Sequence, residues 1–187
     1  MKEQRTFIAF ELPENIVACL KRLQNALKQH ELNIRWVNPK NIHLTLKFLG
    51  DIPVREYLEI ESAIKLTSQA FEPPVLSVTG MGVFPTIKNA RVLWTGIGGE
   101  TETLIKLQQN LEMQLSYLGI QKENRPFKAH LTLGRLKKRV VPAQLLKAIK
   151  ACCEFKPLNF SAKHVVLYQS DLKPDGAVYT PLFRASL

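Results

Sequence analysis

The sequence predicts an α+β fold in which two antiparallel sheets, with helices on their outer faces, make two lobes. Three observations carry that prediction. Several segments alternate polar and apolar residues, as strands with one buried face do. Amphipathic helical stripes stand between them, in strand–helix–strand order in each half of the chain. One tetrad, His-Leu-Thr-Leu, occurs once in each half, at 43–46 and at 130–133. The halves are otherwise too different for a sequence repeat, so the duplication is expected in structure. With 187 residues and no flexible linker, the chain is expected to be one domain, 1–187, of two intertwined lobes.

The elements follow in order. Residues 5–11 (RTFIAFE) alternate and contain aromatics, as a strand does. Pro13 opens a helix with Ile16, Leu20, Leu23 and Leu27 on its inner face and Lys21, Arg22, Gln24 and Lys28 toward water. Residues 34–37 make a short strand ending at Asn38-Pro39, and 41–51 (NIHLTLKFLGD) an alternating strand closed by Gly50-Asp51. Pro53 starts a second helix with Val54, Leu58 and Ile64 as a less regular apolar face, stopped by Pro73-Pro74. Strands at 75–84 and 90–97 flank a turn containing Lys88-Asn89. Gly98-Gly99 leads to a third helix, whose stripe is Leu104, Leu107, Leu111, Leu115 and Leu118. A basic loop, QKENRPFK, precedes the second alternating strand, 129–137 (AHLTLGRLK). A short helix after Pro142 uses Leu145, Leu146 and Ile149, and strands at 163–170 and 177–185 flank a Pro174-Asp175-Gly176 turn.

Composition bounds the function classes. An apolar share of 45% with 22% charged residues is ordinary for a globular protein. The net charge of +10 suits polyanionic partners, because Lys and Arg that neutralise phosphates release counterions; a solubilising surface is the plainer account. The three cysteines are odd in number, with Cys152 and Cys153 adjacent and Cys19 on the apolar side of a predicted helix, which suits reduced thiols in a cytoplasmic protein. The apolar run Phe7 to Phe10 is too short for a signal peptide, and no stretch is long enough to span a bilayer. No membrane association and no obligatory protein partner are expected, and nothing demands more than a monomer.

The tetrads carry the chemistry. Side chains at i and i+2 of a strand share a face, so His43 and Thr45 project together, as do His130 and Thr132, while the leucines point into a core. If the two faces meet in a cleft, two imidazoles and two hydroxyls converge. Cleavage of a phosphodiester without metal needs one neutral imidazole to take a proton from water and one protonated imidazole to give a proton to the leaving oxygen. Histidine, with an unperturbed pKa of about 6.5, supplies both forms near neutrality. Threonine hydroxyls can donate to non-bridging phosphate oxygens, whose charge grows in the transition state. A strand histidine is by itself more often structural; recurrence of the whole tetrad is what that account must treat as coincidence. His30 and His164 lie in unlike contexts, and no Cys or carboxylate cluster completes a metal-ligand set, so neither metal nor cofactor is expected.

HLTLKFLGD and HLTLGRLK resemble the two HxTx motifs of the 2H phosphoesterase superfamily. RTFIAFELP, IRWVNPKNIHLTLKFLGD, ARVLWTGI, RPFKAHLTLGRL and VVLYQSDLKPDGAVY resemble, in order and over nearly the whole chain, its RNA 2′,3′-cyclic phosphodiesterase branch, once called 2′-5′ RNA ligases. The resemblance implies pseudo-twofold symmetry about an open central cleft. It implies hydrolysis of RNA 2′,3′-cyclic phosphate ends to 2′-phosphomonoesters, with His43 as proton donor and His130 as base. Spacing alone does not divide those roles. Reversible 2′-5′ joining and a non-catalytic RNA-end binding module are the alternatives, and transfer-RNA fragments or small cyclic nucleotides would all present the required end. Where many relatives have Pro before the second motif, this chain has Ala129.

Supporting residues have two accounts each. Arg135 occupies a basic position resembling the family's and could hold phosphate, but strand parity puts it opposite His130 unless a bulge intervenes. Lys47 shares the parity of His43 and could charge the rim, or be an ordinary exposed lysine. Phe7, Phe48 and Phe127 could stack a base, although parity with Leu44 and Leu46 favours core packing for Phe48; Trp36 and Trp94 are expected to be structural. Arg125, Lys128, Lys137, Lys138 and Arg139 could steer an RNA backbone or be solvated loop charges.

Overall fold

A computed structural model describes residues 3–137, 140–153, 155–174 and 176–187. The elements are β1 (Glu3–Phe10), α1 (Glu14–Lys28), β2 (Ile34–Trp36), β3 (Leu44–Pro53), α2 (Tyr57–Gln69), β4 (Val75–Phe84), β5 (Val92–Gly99), α3 (Thr101–Tyr117), β6 (His130–Leu136), α4 (Pro142–Cys152), β7 (Leu158–Ser161), β8 (His164–Lys173) and β9 (Gly176–Ser186). Among the described residues the strands form two sheets, ordered β3-β1-β8-β9 and β2-β6-β5-β4-β7. Every ladder is antiparallel.

The chain crosses between sheets in a repeated way. It runs β1-α1-β3-α2 and then leaves its sheet, so β4 pairs with β5; it runs β5-α3-β6-α4 and crosses back, so β8 pairs with β1. Each tetrad strand therefore neighbours the first strand of its own half. The expected duplication is visible as topology.

Helices cover the faces turned away from the tetrad histidines. Ile16, Leu20, Leu23 and Leu27 of α1 are buried as the helical period predicts, and Leu104, Leu107, Leu111 and Leu115 of α3 are fully buried. Each such leucine contributes roughly 1.5–3 kcal/mol relative to exposure. Leu118 lies past the end of α3 and is exposed. Pro53 closes β3 rather than opening a helix; a short 3₁₀ turn (Val54–Glu56) intervenes, and α2 buries Ile60, Ala63 and Ile64 while Val54 and Leu58 face solvent. The strand β7 carried no alternation long enough to be predicted; it pairs with β4 and buries Phe160 in the core. Gln24, expected toward water, is buried between α1 and β6. Among the described residues no helix is long and apolar enough to cross a membrane, and the three cysteines are unpaired.

Candidate active site

Both tetrads break regular strand pairing at the same place. In the β1–β3 ladder Ala9 faces Thr45 and Ile8 faces Lys47, so Leu46 is an extra residue. In the β5–β6 ladder Trp94 faces Thr132 and Leu93 faces Gly134, so Leu133 is the extra one. The last leucine of each tetrad is thus a β-bulge, and a one-residue slip reverses the face of the side chains that follow, in β3 as far as a second slip at Leu49. Arg135, which simple parity places opposite His130, comes onto the face of His130 and Thr132. On the first strand Phe48 comes onto the face of Thr45 and is 66% exposed, which corrects the core assignment. Lys47 turns inward, 6% exposed, and is neither a rim charge nor a solvated lysine.

Each bulge is supported from behind by a buried glutamine on a helix. Gln24 Nε2 of α1 donates to the carbonyls of Leu133 (2.8 Å) and Val37 (2.7 Å). Gln108 Nε2 of α3 donates to the Leu46 carbonyl (3.4 Å). Buried carbonyls need partners; the Val37 and Leu46 carbonyls find them in these amides, and the Leu133 carbonyl, which also accepts from the Val37 amide at 3.0 Å, gains a second donor. Gly134 completes the second bulge: a Cβ there would collide with Ile34 Cγ2 and press on the Arg35 carbonyl at 3.2 Å, so β2 approaches β6 this closely only beside glycine. Replacing Gln24 with alanine strands the Val37 carbonyl, and an expected loss of about 1–3 kcal/mol is checked by the urea midpoint; an unchanged midpoint would remove Gln24 from this role.

The inward Lys47 anchors a polar cluster. Its ammonium donates to Glu112 Oε2 at 2.8 Å and to the Gln121 carbonyl at 2.7 Å. Glu112 also accepts from Gln108 Nε2 (3.2 Å) and from the Glu123 amide (3.4 Å). The cluster ties β3 and α3 to the loop that leads into His130.

The two imidazoles are held alike. His43, one residue before the β3 ladder, has Nδ1 2.7 Å from the Asn41 carbonyl, and His130 has Nδ1 2.7 Å from the Lys128 carbonyl. A carbonyl only accepts, so the proton of each neutral ring sits on Nδ1 and Nε2 is left for a ligand. Asn41 is itself fixed, donating from Nδ2 to the Ala177 carbonyl at 2.7 Å. Rings complete the walls. Phe7 is buried and stacks on His43 (centroids 4.5 Å apart), while Tyr179 meets it edge-on at 5.2 Å. Phe84 meets His130 edge-on at 5.0 Å, with Trp94 at 6.4 Å. Phe7 therefore orients the imidazole rather than offering a free face, although Phe48, 6.0 Å away, does offer one. Phe127 and Trp36 pack against the core.

Electrostatics links the two strands. Burial pushes the His43 pKa down to about 4, opposed by the Asn41 carbonyl and reinforced by the charge of His130. Burial also lowers the His130 pKa, opposed by the Lys128 carbonyl and reinforced by Arg135. Burial raises the Tyr179 hydroxyl, while the charges of Arg135 and Arg5 act in the other direction. Arg125 is paired with Glu123 at 2.9 Å in the loop, and Lys128 lies 5.9 Å from the Phe84 ring. Lys138 and Arg139, named with them, lie outside the described residues, as does Asp175 of the last turn. Among the described residues no three His, Cys, Asp or Glu side chains gather in a group able to hold a metal. The sequence reading missed Tyr168, Tyr179, Phe84 and the two glutamines; the first two lie far along the chain, and only the sheet order brings them to His43.

The family model for LigT-like phosphoesterases matches residues 10–94 and 97–179. A protein of Methanothermobacter thermautotrophicus named RNA 2′,3′-cyclic phosphodiesterase is 33% identical over 95% of this chain and 96% of its own. One of the same name from Methanocaldococcus jannaschii is 32% identical over 94% and 96%. Among solved structures, TT0787 of Thermus thermophilus superposes with a TM-score of 0.81 at 28% identity, covering 98% of this chain and 97% of that one. E. coli LigT complexed with 3′-AMP superposes at 0.72 with 27% identity, over 99% and 98%. With both halves of the chain matched by one model, the chain belongs to the LigT-like phosphoesterase family.

Proposed function

We propose that the protein hydrolyses 2′,3′-cyclic phosphate ends of RNA to 2′-phosphomonoesters, with His130 as base and His43 as acid and without a metal. The carrying observation is the matched pair of imidazoles, each pinned through Nδ1 so that Nε2 faces the ligand space. His130 Nε2 takes a proton from water as the water oxygen bonds to phosphorus; the bond from phosphorus to O3′ breaks, and His43 Nε2 gives its proton to O3′. Thr45 and Thr132 donate to the non-bridging oxygens, and Arg135 offsets their growing charge. The division of roles is the one the family resemblance implies; burial disfavours a proton on both rings, and the stacked face of Phe7 is the feature beside His43 that suits an imidazolium once phosphate is bound. The names of the relatives support the substrate assignment, and transfer-RNA fragments or small cyclic nucleotides would carry the same end.

Burial disfavours a proton on both rings in the empty site and pushes the His43 pKa down to about 4. The anionic phosphate must therefore raise both pKa values on binding. In EDTA, kcat/KM, which reports the free enzyme, is expected to be bell-shaped with its maximum on the acid side of 6.5. It falls on the alkaline side as the acid loses its proton, and the maximum of kcat lies at higher pH. Loss of turnover in EDTA, or a flat profile, would contradict the mechanism.

A further inference from the structure

The site has two unlike ends. Beside His43 lies a cavity of about 160 Å³, lined by Glu11, Lys40, Asn41, Tyr168 and Tyr179. That is room for one small group, closed by aromatic rings, with a carboxylate held by Arg184 at 2.7 Å. Beyond Arg135 opens a groove of about 850 Å³, lined by Arg91, Arg135 and Lys137 together with Pro85, Asn89, Ala90 and Leu136, and no carboxylate is among these.

A second observation stands beside the groove. In the β2–β6 ladder Arg35 lies directly opposite Arg135. Both are exposed, and among the described residues neither has an ion-pair partner; the same is true of Arg91 and Lys137. Directly opposed like charges destabilise a sheet, and an anion lying across them offsets that cost. The positions also have an order. Lys137 directly follows β6, two positions past Arg135, with its amide donating to the Asn33 carbonyl at 3.1 Å, and Arg91 is bound to the same stretch through its carbonyl, which accepts from the Leu136 amide at 2.9 Å. A row of unpaired cations leading away from the reacting centre matches a chain of phosphates rather than a single one.

We propose that Arg35, Arg91 and Lys137, continuing from Arg135, form a subsite for the phosphodiester backbone of the strand that ends in the cyclic phosphate. The strand attached to the cyclic phosphate then adds affinity that a mononucleotide lacks, an inference that rests on the function proposed above. The variant Arg35→Gln, Arg91→Gln, Lys137→Gln leaves Arg135 and the histidines in place. By fluorescence anisotropy it is expected to bind a labelled short oligoribonucleotide ending in a 2′-phosphate at least about tenfold more weakly than wild type. Competition by 2′-AMP stays within about twofold, and the slope of log affinity against log salt flattens by about 0.7 per cation removed. Unchanged oligonucleotide affinity, or equal loss for both ligands, would overturn the subsite. Turnover of the matching cyclic phosphates is read in parallel. A wild type that binds both ligands and hydrolyses neither would overturn the hydrolase reading, while the binding difference still decides the groove.

Discussion

Replacing His43 or His130 with alanine is expected to lower kcat on a 2′,3′-cyclic phosphate by about 10²–10⁴-fold, the range for removing a general acid or base. Neither change should unfold the protein. Each ring is held by a polar contact to a backbone carbonyl two residues before it and by aromatic neighbours, not by a bond that joins core elements. Because proton uptake and delivery belong to one displacement, the double variant should be little worse than either single one. Steady-state rates beside a near-unchanged circular dichroism spectrum check this. Independent, multiplying losses, or turnover retained in either variant, would break the pairing. Arg135→Gln should instead raise KM, because its charge meets the phosphate in the ground state as well as in the transition state.

The second large effect is on stability. Lys47→Ala leaves the Glu112 carboxylate buried with only Gln108 and the Glu123 amide as donors, and Glu112→Ala leaves the ammonium with one carbonyl. Removing one partner of a buried pair costs roughly 3–5 kcal/mol, so either single variant should lower the urea midpoint sharply. The double change Lys47→Met, Glu112→Leu should recover much of the loss, since the penalty comes from an uncompensated charge. A single-variant loss below about 1 kcal/mol, the scale of an exposed pair, would show that the cluster is solvated. The same variants should loosen the loop before His130, which the cluster holds through Gln121 and Glu123.

The fold and the reacting groups were legible because they depend on local pattern. Alternation placed β1, β3, β4 and β6, the stripe of α3 was plain from its leucines, and the repeated tetrad marked the strands that carry His43 and His130. Parity then misled beyond the tetrads, where bulges at Leu46 and Leu133 reverse the faces. Phe48 and Lys47 exchanged their expected environments for that reason, and Arg135 reached the cleft by the route that had been stated as its condition. A bulge is a property of the pair of strands, set here by register against β1 and β5, and one strand's sequence does not display it. Gln24 and Gln108 were hidden for a related reason. A polar residue on a helix reads as solvent-facing unless the carbonyl it satisfies is known. Tyr168, Tyr179 and Arg35 reach the site only through sheet order, since β8 returns to β1 and β2 joins β6.

Two histidines, one in each sheet, are proposed to open a cyclic phosphate by adding water to phosphorus and releasing O3′. A single turnover in ¹⁸O-labelled water on an oligoribonucleotide with a 2′,3′-cyclic phosphate, read by ³¹P resonance and mass, tests it most directly. The expected product is a 2′-phosphomonoester carrying one solvent oxygen. A 3′-phosphate, or a product without solvent oxygen, would contradict it.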